Sequence, residues 1–487
     1  MSPSDPALWT YDALLAATGG RPLGARPEAL TGVSIDSRTI AAGEAFFAIA
    51  GERHDGHDYA ATALARGAAT AVVAEGRLAG LGRSHGSLTV VADVMDALRA
   101  LGVAARARTA ARVVAVTGSV GKTGTKEMLA AALAADGPVH YSPASFNNHW
   151  GVPLTLARMP SGTAYGIFEI GMNHAGEITP LTKMVRPHVA IVTTVEPVHL
   201  EYFKDVKAIA RAKAEIFLGV EEGGAAVINR DNPHYALLAR AAKAAGVARI
   251  VGFGEHEKAE VRLETVKLKE ACSCVSATVL GEKVSYKLGA PGRHLVQNSL
   301  AVLAAVSLTG ADLARAMLAL AAIDAGKGRG ARSKLRLRGG GRALLIDESY
   351  NANPASMRAA IALLGQVDLV RGGHRIAVLG EMRELGPQAA ELHAALAGPL
   401  AEANIAKVFL AGPLMRTLYD ALPPAMRGAY AETAADLEPL VEKALAPGDA
   451  VMVKGSNASR MGPLVEALKA HFAGTAADDE RQEQETA

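Results

Sequence analysis

Residues 112–123 read RVVAVTGSVGKT, and TKEMLAAALAA follows at 125–135. A β-branched run enters a glycine turn and leaves it as a stretch of good helix formers, so a strand–loop–helix unit is predicted here. This is the setting a phosphate loop requires. Gly118 and Gly121 let the backbone turn tightly and aim N–H groups at phosphate oxygens, and the helix start adds partial positive charge. Lys122 can reach the β- and γ-phosphates, and the Thr123 hydroxyl can bind Mg2+. The loop is shorter than a full Walker A, since Val116 stands where the first glycine would fall. A glycine–lysine turn without phosphate fits the motif alone; the flanking strand and helix argue for phosphate.

Working outward, buried-strand candidates recur at 166–170, 188–194, 225–228 and 249–253, with helical stretches between them. Such alternation predicts an α/β domain with a mostly parallel sheet. Shorter alternating runs at 261–288 suggest an antiparallel patch. The stretch 324–341 (DAGKGRGARSKLRLRGGG) is rich in glycine and arginine and reads as a hinge. Strands at 343–347, 375–379, 407–411 and 449–453 then alternate with helices in a second α/β unit. Upstream, 45–49 (AFFAI) and 59–68 (YAATALARGA) belong to a small α/β segment. Three domains are expected, over 1–108, 109–325 and 326–473, with a polar, disordered tail at 474–487.

The formal net charge of +2 suggests neither a nucleic-acid nor a membrane surface. No apolar run is long enough to span a bilayer, and MSPSDPALWT lacks the layout of a signal peptide. Cys272 and Cys274 are the only cysteines, spaced for one face of a strand and matching neither a zinc nor a redox pattern. A cytoplasmic chain that neither inserts into a membrane nor binds nucleic acid, and works as a monomer, is expected.

Several polar residues sit where they need a reason. Glu169 ends an apolar strand in YGIFEIGMNHAGEI; a cation or good donors must meet it there, and either Mg2+ or an ordinary partner would serve. His199, in TTVEPVHLEYF, follows another strand and by itself reads as structural. Lys213, in AIARAKAEIF, by itself reads as a solvated helix lysine. Asn298, in GRHLVQNSLAVLAA, reads as a helix N-cap. His54, Asp55, His57 and Asp58 crowd together, but in a loop leading into a helix.

The shortened loop threonine–glycine–x–x–glycine–lysine–threonine, with the domain order around it, resembles the Mur ligases over nearly the whole chain; folylpolyglutamate synthases share the loop. The resemblance implies a uridine-binding first domain, a central ATPase domain and a Rossmann-like third domain. It makes Thr117, Gly118, Ser119, Val120, Gly121, Lys122 and Thr123 the ATP loop, with Thr123 and Glu169 on magnesium positions. It turns His199 into a contributor to a second metal site. It implies that CO2 carbamylates Lys213, giving an anionic ligand for a second Mg2+. Asn298 would approach adenine, and Asp347 and Asn351 in DESYNANPASM would contact the nucleotide. An arginine of KGRGAR should reach the γ-phosphate. Arg329 and Arg332 both qualify by spacing, and the glycine–arginine context favours Arg329. Lys122, Lys213, His199 and Arg329 form the implied catalytic set.

The stretch SIDSRTIAAGEAFFAIAGERHDGHDY resembles the family's uridine-binding domain and makes Ser37 and Arg38 substrate contacts. Lys454 and Ser456 in VKGSNASRM match a substrate loop; alone they read as surface. Asn147 and Asn148 in SFNNHWGVPLTL resemble the asparagine pair of the branch that adds D-alanyl-D-alanine to UDP-N-acetylmuramoyl-tripeptide with ATP, through an acyl phosphate, in peptidoglycan precursor synthesis. The alternatives are the branch adding diaminopimelate or lysine to the dipeptide precursor and, more distantly, a phosphate-loop NTPase switch.

Overall fold

Strands with a continuous apolar run must be covered on both faces, and Arg112–Thr117, apolar from Val113 to Val116, is such a strand. In the computed structural model, which describes residues 7–51, 54–81, 86–198, 200–324, 326–337 and 340–473, it lies inside a nine-stranded sheet. Val114 and Val116 face a core shared with the helices Lys122–Ala134 and Arg293–Thr309. Val113 and Ala115 face the opposite core, against Ile178–Val185, Val206–Ala214 and Tyr235–Ala244. From Val139–Tyr141 at one edge, neighbours run parallel through Tyr165–Glu169, Arg112–Thr117, Val189–Val192, Ala225–Asn229, Arg249–Gly254 and Val261–Leu268. Ser273–Val279 and Glu282–Leu288 then close that side as an antiparallel meander. The antiparallel patch therefore extends the central sheet. Cys272 precedes its strand, and only Cys274 lies within it.

The first domain holds a five-stranded sheet ordered Arg21–Leu23, Leu88–Val91, Thr70–Ala74, Glu44–Phe47, Gly32–Ser34, parallel except at the first strand. It is fastened to the central domain by the helix Val94–Ala107, whose Leu98, Leu101 and Ala105 share a core with Leu154 and Ala157. The Arg108 guanidinium lies 3.4 Å from the Trp9 ring centroid and donates to the carbonyls of Leu8 and Met159. Arg158 Nε donates to Val33 O at 2.6 Å.

The third domain is a six-stranded sheet ordered Ala331–Arg336, Arg342–Glu348, Ala450–Lys454, Arg375–Gly380, Lys407–Ala411, Arg427–Ala431. Only the first pairing is antiparallel. The stretch expected as a hinge is thus partly an edge strand: Ala331–Arg336 pairs along its length with Arg342–Asp347. A solvent-facing edge tolerates arginine and lysine, so its composition hides it. Three α/β layers follow one another along the chain, as expected. Among the described residues no helix is long and apolar enough to cross a membrane.

Candidate active site

At the carboxyl end of Arg112–Thr117 the backbone turns through Gly118 (φ +154°) and Gly121 (φ +85°) into the helix Lys122–Ala134. A Cβ at Gly118 would stand 1.9 Å from Thr193 Oγ1, and one at Gly121 2.9 Å from the Asn298 amide, so both positions require glycine. The loop is stitched to the next strand end. Thr193 Oγ1 donates to Val120 O at 2.6 Å, Ser119 N to Thr194 O at 2.8 Å, and Ser119 Oγ to Glu196 O at 3.1 Å. Thr117 is buried, and its hydroxyl has no partner among the described residues. Among the described residues no side chain caps the helix, which leaves its first N–H groups for an anion. Lys122 Nζ bends back to Gly118 O at 2.8 Å. Burial holds this ammonium below the ordinary lysine range; the Glu169 charge opposes that shift and Arg329 adds to it.

Glu169 is 4% exposed, and its donors are now identified. Thr123 Oγ1 donates to Oε2 at 2.8 Å and Asn147 Nδ2 to Oε1 at 2.7 Å. Ser145 Oγ lies 3.2 Å from Thr123 Oγ1 and accepts from the Tyr350 hydroxyl at 2.7 Å. Tyr350 comes from the third domain, and the Arg329 guanidinium lies 3.9 Å from its ring centroid. One chain of contacts therefore runs Asn147–Glu169–Thr123–Ser145–Tyr350–Arg329.

Asp347 is buried behind Arg329. Its carboxylate accepts from Gly328 N at 2.9 Å, Ser349 N at 3.1 Å and Ser349 Oγ at 2.6 Å, and its carbonyl from Gly330 N. Oδ2 holds the turn that presents the arginine, and Oδ1 is committed to Ser349. Arg332, three residues on, lies in the edge strand opposite Ile346, 3.8 Å from Glu270. Its Nε and Nη1 are buried without hydrogen-bond partners among the described residues. Of the two arginines, Arg329 is the one beside the phosphate loop.

Asn298 is not an N-cap. The helix begins after Gly292, at φ +126°, and Asn298 is buried in its second turn with its amide against Gly121. A mid-helix asparagine has the local look of a cap, and only the left-handed glycine upstream distinguishes the two. Asn148 Oδ1 accepts from Gly151 N at 2.9 Å and so starts the helix Gly151–Ala157. The asparagine pair divides its work: one side chain is on Glu169, the other on the backbone. Asn351 is exposed, and its Oδ1 accepts from Ala352 N. Lys454 is 3% exposed and donates to Glu348 Oε2 at 3.2 Å and Asn351 O at 3.0 Å; Ser456 is buried and accepts from Ser459 N. These two belong to the packed interior of the third domain, where an exposed loop was one reading.

Lys213 sits on Val206–Ala214 and is 2% exposed, so the solvated reading is overturned. Among the described residues no hydrogen bond or ion pair reaches its ammonium. Burial, and then the charge of Lys122, push its pKa well below the lysine range. His199 lies outside the described residues. On the first domain Ser37 is buried and Arg38 exposed, with the Arg38 guanidinium 2.7 Å from Asp36. Arg66 Nη1 donates to both of their carbonyls. Asp55 caps the short turn Gly56–Tyr59 and meets His57 Nδ1 at 2.6 Å, which occupies that crowded segment structurally.

Sequence reasoning missed Ser145, Tyr350, Thr193 and Lys126. Ser145 and Tyr350 each lie inside a motif that was read, and Thr193 directly follows the strand Val189–Val192. Nothing local marks Lys126.

A phosphate loop at the mouth of one α/β sheet, faced by an arginine from a second, is the arrangement of a nucleotide-using enzyme that works between domains. The chain matches the Mur ligase middle domain over residues 116–306. It matches the Mur ligase glutamate ligase domain over 333–457 and the Mur ligase catalytic domain over 29–79. It is 31% identical to the UDP-N-acetylmuramoyl-tripeptide--D-alanyl-D-alanine ligase of Rickettsia prowazekii, over 89% of this chain and 94% of that one. It is 32% identical to the enzyme of that name from Escherichia coli, over 90% and 94%. A crystal structure of MurF from Acinetobacter baumannii superposes with a TM-score of 0.82 at 30% identity, covering 94% of this chain and 98% of that one. The chain belongs to the Mur ligase family.

Proposed function

We infer that this chain is an ATP-dependent ligase that joins D-alanyl-D-alanine to UDP-N-acetylmuramoyl-tripeptide, in peptidoglycan precursor synthesis in the cytoplasm. The observation that carries the reading is the phosphate loop met by Arg329, in a chain similar along nearly its whole length to ligases of that name. In the reaction a carboxylate oxygen of the tripeptide attacks the γ-phosphorus of ATP and the bond to ADP breaks. The dipeptide amine then attacks the acyl carbon, loses a proton, and phosphate leaves.

The residues of the loop are suited to positioning and electrostatics, which is what phosphoryl transfer asks of a protein. The free N–H groups at Lys122–Thr123 cradle phosphate oxygens, and Lys122 exchanges its bond to Gly118 O for one to phosphate. Arg329 approaches from the other side, held by the Asp347 turn. We assign Asn298 to the nucleotide side of the loop through its contact with Gly121, and Ser37 and Arg38 to the uridine end of the acceptor.

The donor set fits Mg2+: a hydroxyl and a carboxylate 2.8 Å apart, beside the phosphate loop. Among the described residues no three histidines, cysteines or acids are placed to hold a metal ion by themselves, and Mg2+ at phosphates needs few protein ligands. Thr123 and Glu169 would hold it, and the ion supplies neutralisation of charge on the phosphoryl oxygens. For Lys213 we propose a carbamate that, with His199, serves a second Mg2+. An amine buried without an acid partner is favoured in its neutral form, the form whose nitrogen attacks CO2 and releases a proton.

The test supplies UDP-muramoyl-tripeptide with D-alanyl-D-alanine, and UDP-muramoyl-dipeptide with diaminopimelate or lysine. Phosphate release and product mass are followed for each. Turnover requiring the tripeptide and the dipeptide amine together is expected. Turnover only with the single amino acids would reassign the chain to the other branch, and ATP hydrolysis indifferent to both substrates would make it a switch.

A further inference from the structure

Lys126 is 0% exposed, on the helix that begins at Lys122 and three residues beyond Thr123. Lysines rarely go so deep unless paired, yet among the described residues no carboxylate forms an ion pair with this one. Its Nζ donates instead to Ser142 O at 2.7 Å and Ala144 O at 3.2 Å, with the Tyr141 ring centroid 5.8 Å away. Ala144 N also donates to Ser142 Oγ, so residues 142–144 fold around the ammonium as a compact turn. A residue that merely filled this space would be cheaper without a charge. The ammonium has two donors trained on a segment that belongs to no helix or strand.

What that segment carries gives the arrangement its meaning. Ser145, the next residue, meets Thr123 Oγ1 and the Tyr350 hydroxyl, and Asn147 donates to Glu169. We propose that Lys126 is a positioning residue of the ligation site, its buried ammonium tethering residues 142–148 so that Ser145 and Asn147 hold the Thr123–Glu169 pair in place. This rests on the reading of that pair as the Mg2+–phosphate pocket. Lys126 touches neither substrate nor metal in this scheme. It acts through the segment, as partners behind a metal ligand do.

The experiment uses the full chain with Lys126→Met, which keeps the length and removes charge and donors, and Lys126→Gln, which keeps one donor. Ligation is measured against Mg2+, ATP and UDP-peptide, together with amide hydrogen exchange and thermal unfolding. For Lys126→Met, kcat should fall about 100-fold, as displaced geometry does. The Mg2+ concentration giving half-maximal rate should rise about tenfold. KM for the UDP-peptide should stay within about twofold, since a tether at the metal leaves ground-state acceptor binding alone. Exchange should quicken within 142–148 and nowhere else, and Lys126→Gln should fall between the two.

A folded Lys126→Met with wild-type kcat and Mg2+ dependence would overturn the proposal, as would a loss of activity with exchange faster throughout the chain. Should Lys126→Met fail to fold, Lys126→Gln is read by the same two criteria. If the chain ligates none of the muramoyl peptides, the proposed function falls on its own. Mg2+–ATP binding by calorimetry and local exchange then still decide the role of Lys126.

Discussion

The Tyr350 hydroxyl donates to Ser145 Oγ across 2.7 Å, linking residues 205 apart in sequence and joining the third domain to the second. Ser145 touches Thr123, and Tyr350 carries Arg329 on its ring, so this bond lies between the loop and the arginine that faces it.

Tyr350→Phe removes that hydroxyl and keeps the ring under Arg329. A neutral hydrogen bond contributes about 1 kcal/mol net, so kcat should fall about fivefold. Tyr350→Ala takes the ring as well and should cost about tenfold more, from a cation–π contact of about 1–2 kcal/mol. Steady-state ligation rates at saturating ATP check both.

Lys122→Met should lower kcat by about a thousandfold, the scale seen when a charge-stabilising donor is lost. Among the described residues its ammonium makes one hydrogen bond, to Gly118 O, so the fold does not depend on it. Thermal unfolding should shift by no more than a few degrees. Wild-type turnover in the folded variant would remove Lys122 from the mechanism.

Asp347→Ala strips partners from Gly328 N and from both donors of Ser349. Buried donors left without partners cost about 1–3 kcal/mol each, so the domain should unfold several degrees lower. The loosened turn should also raise KM for ATP, because Arg329 is then no longer held toward the phosphates. Calorimetry and an ATP titration measure the two effects separately.

Lys213→Ala should be nearly inactive, and short carboxylic acids should restore part of the rate by lending the missing oxygen ligand. The intact protein should weigh one CO2 more than its sequence when analysed without acid. An unmodified amine in an active enzyme, or a Lys213→Ala variant with full turnover, would dispose of the carbamate.

The parallel strands were legible because burial on both faces writes an unbroken apolar run, as from Val113 to Val116. The phosphate loop was legible because Gly118 and Gly121 are forced by close neighbours at 193 and 298. The edge strand Ala331–Arg336 was not, since four of its six residues are polar and break the apolar run that marks a buried strand. The choice between Arg329 and Arg332 was closed to spacing, because strand pairing seats one opposite Ile346 and Asp347 lifts the other out in a turn. Contacts such as Tyr350–Ser145 leave no local period at all. The burial of Lys213 also came from tertiary packing, since its helix reads as amphipathic with the lysine in an ordinary place.

The central sheet ends on Glu282–Leu288, a strand paired on one side only among the described residues. Such an edge invites aggregation, and its charges answer that hazard: Glu282, Lys283 and Lys287 all stand exposed along it, while Val284, Tyr286 and Leu288 turn inward. The meander that widens the ATPase sheet thus ends in a charged edge, the composition by which natural sheets discourage edge-to-edge pairing.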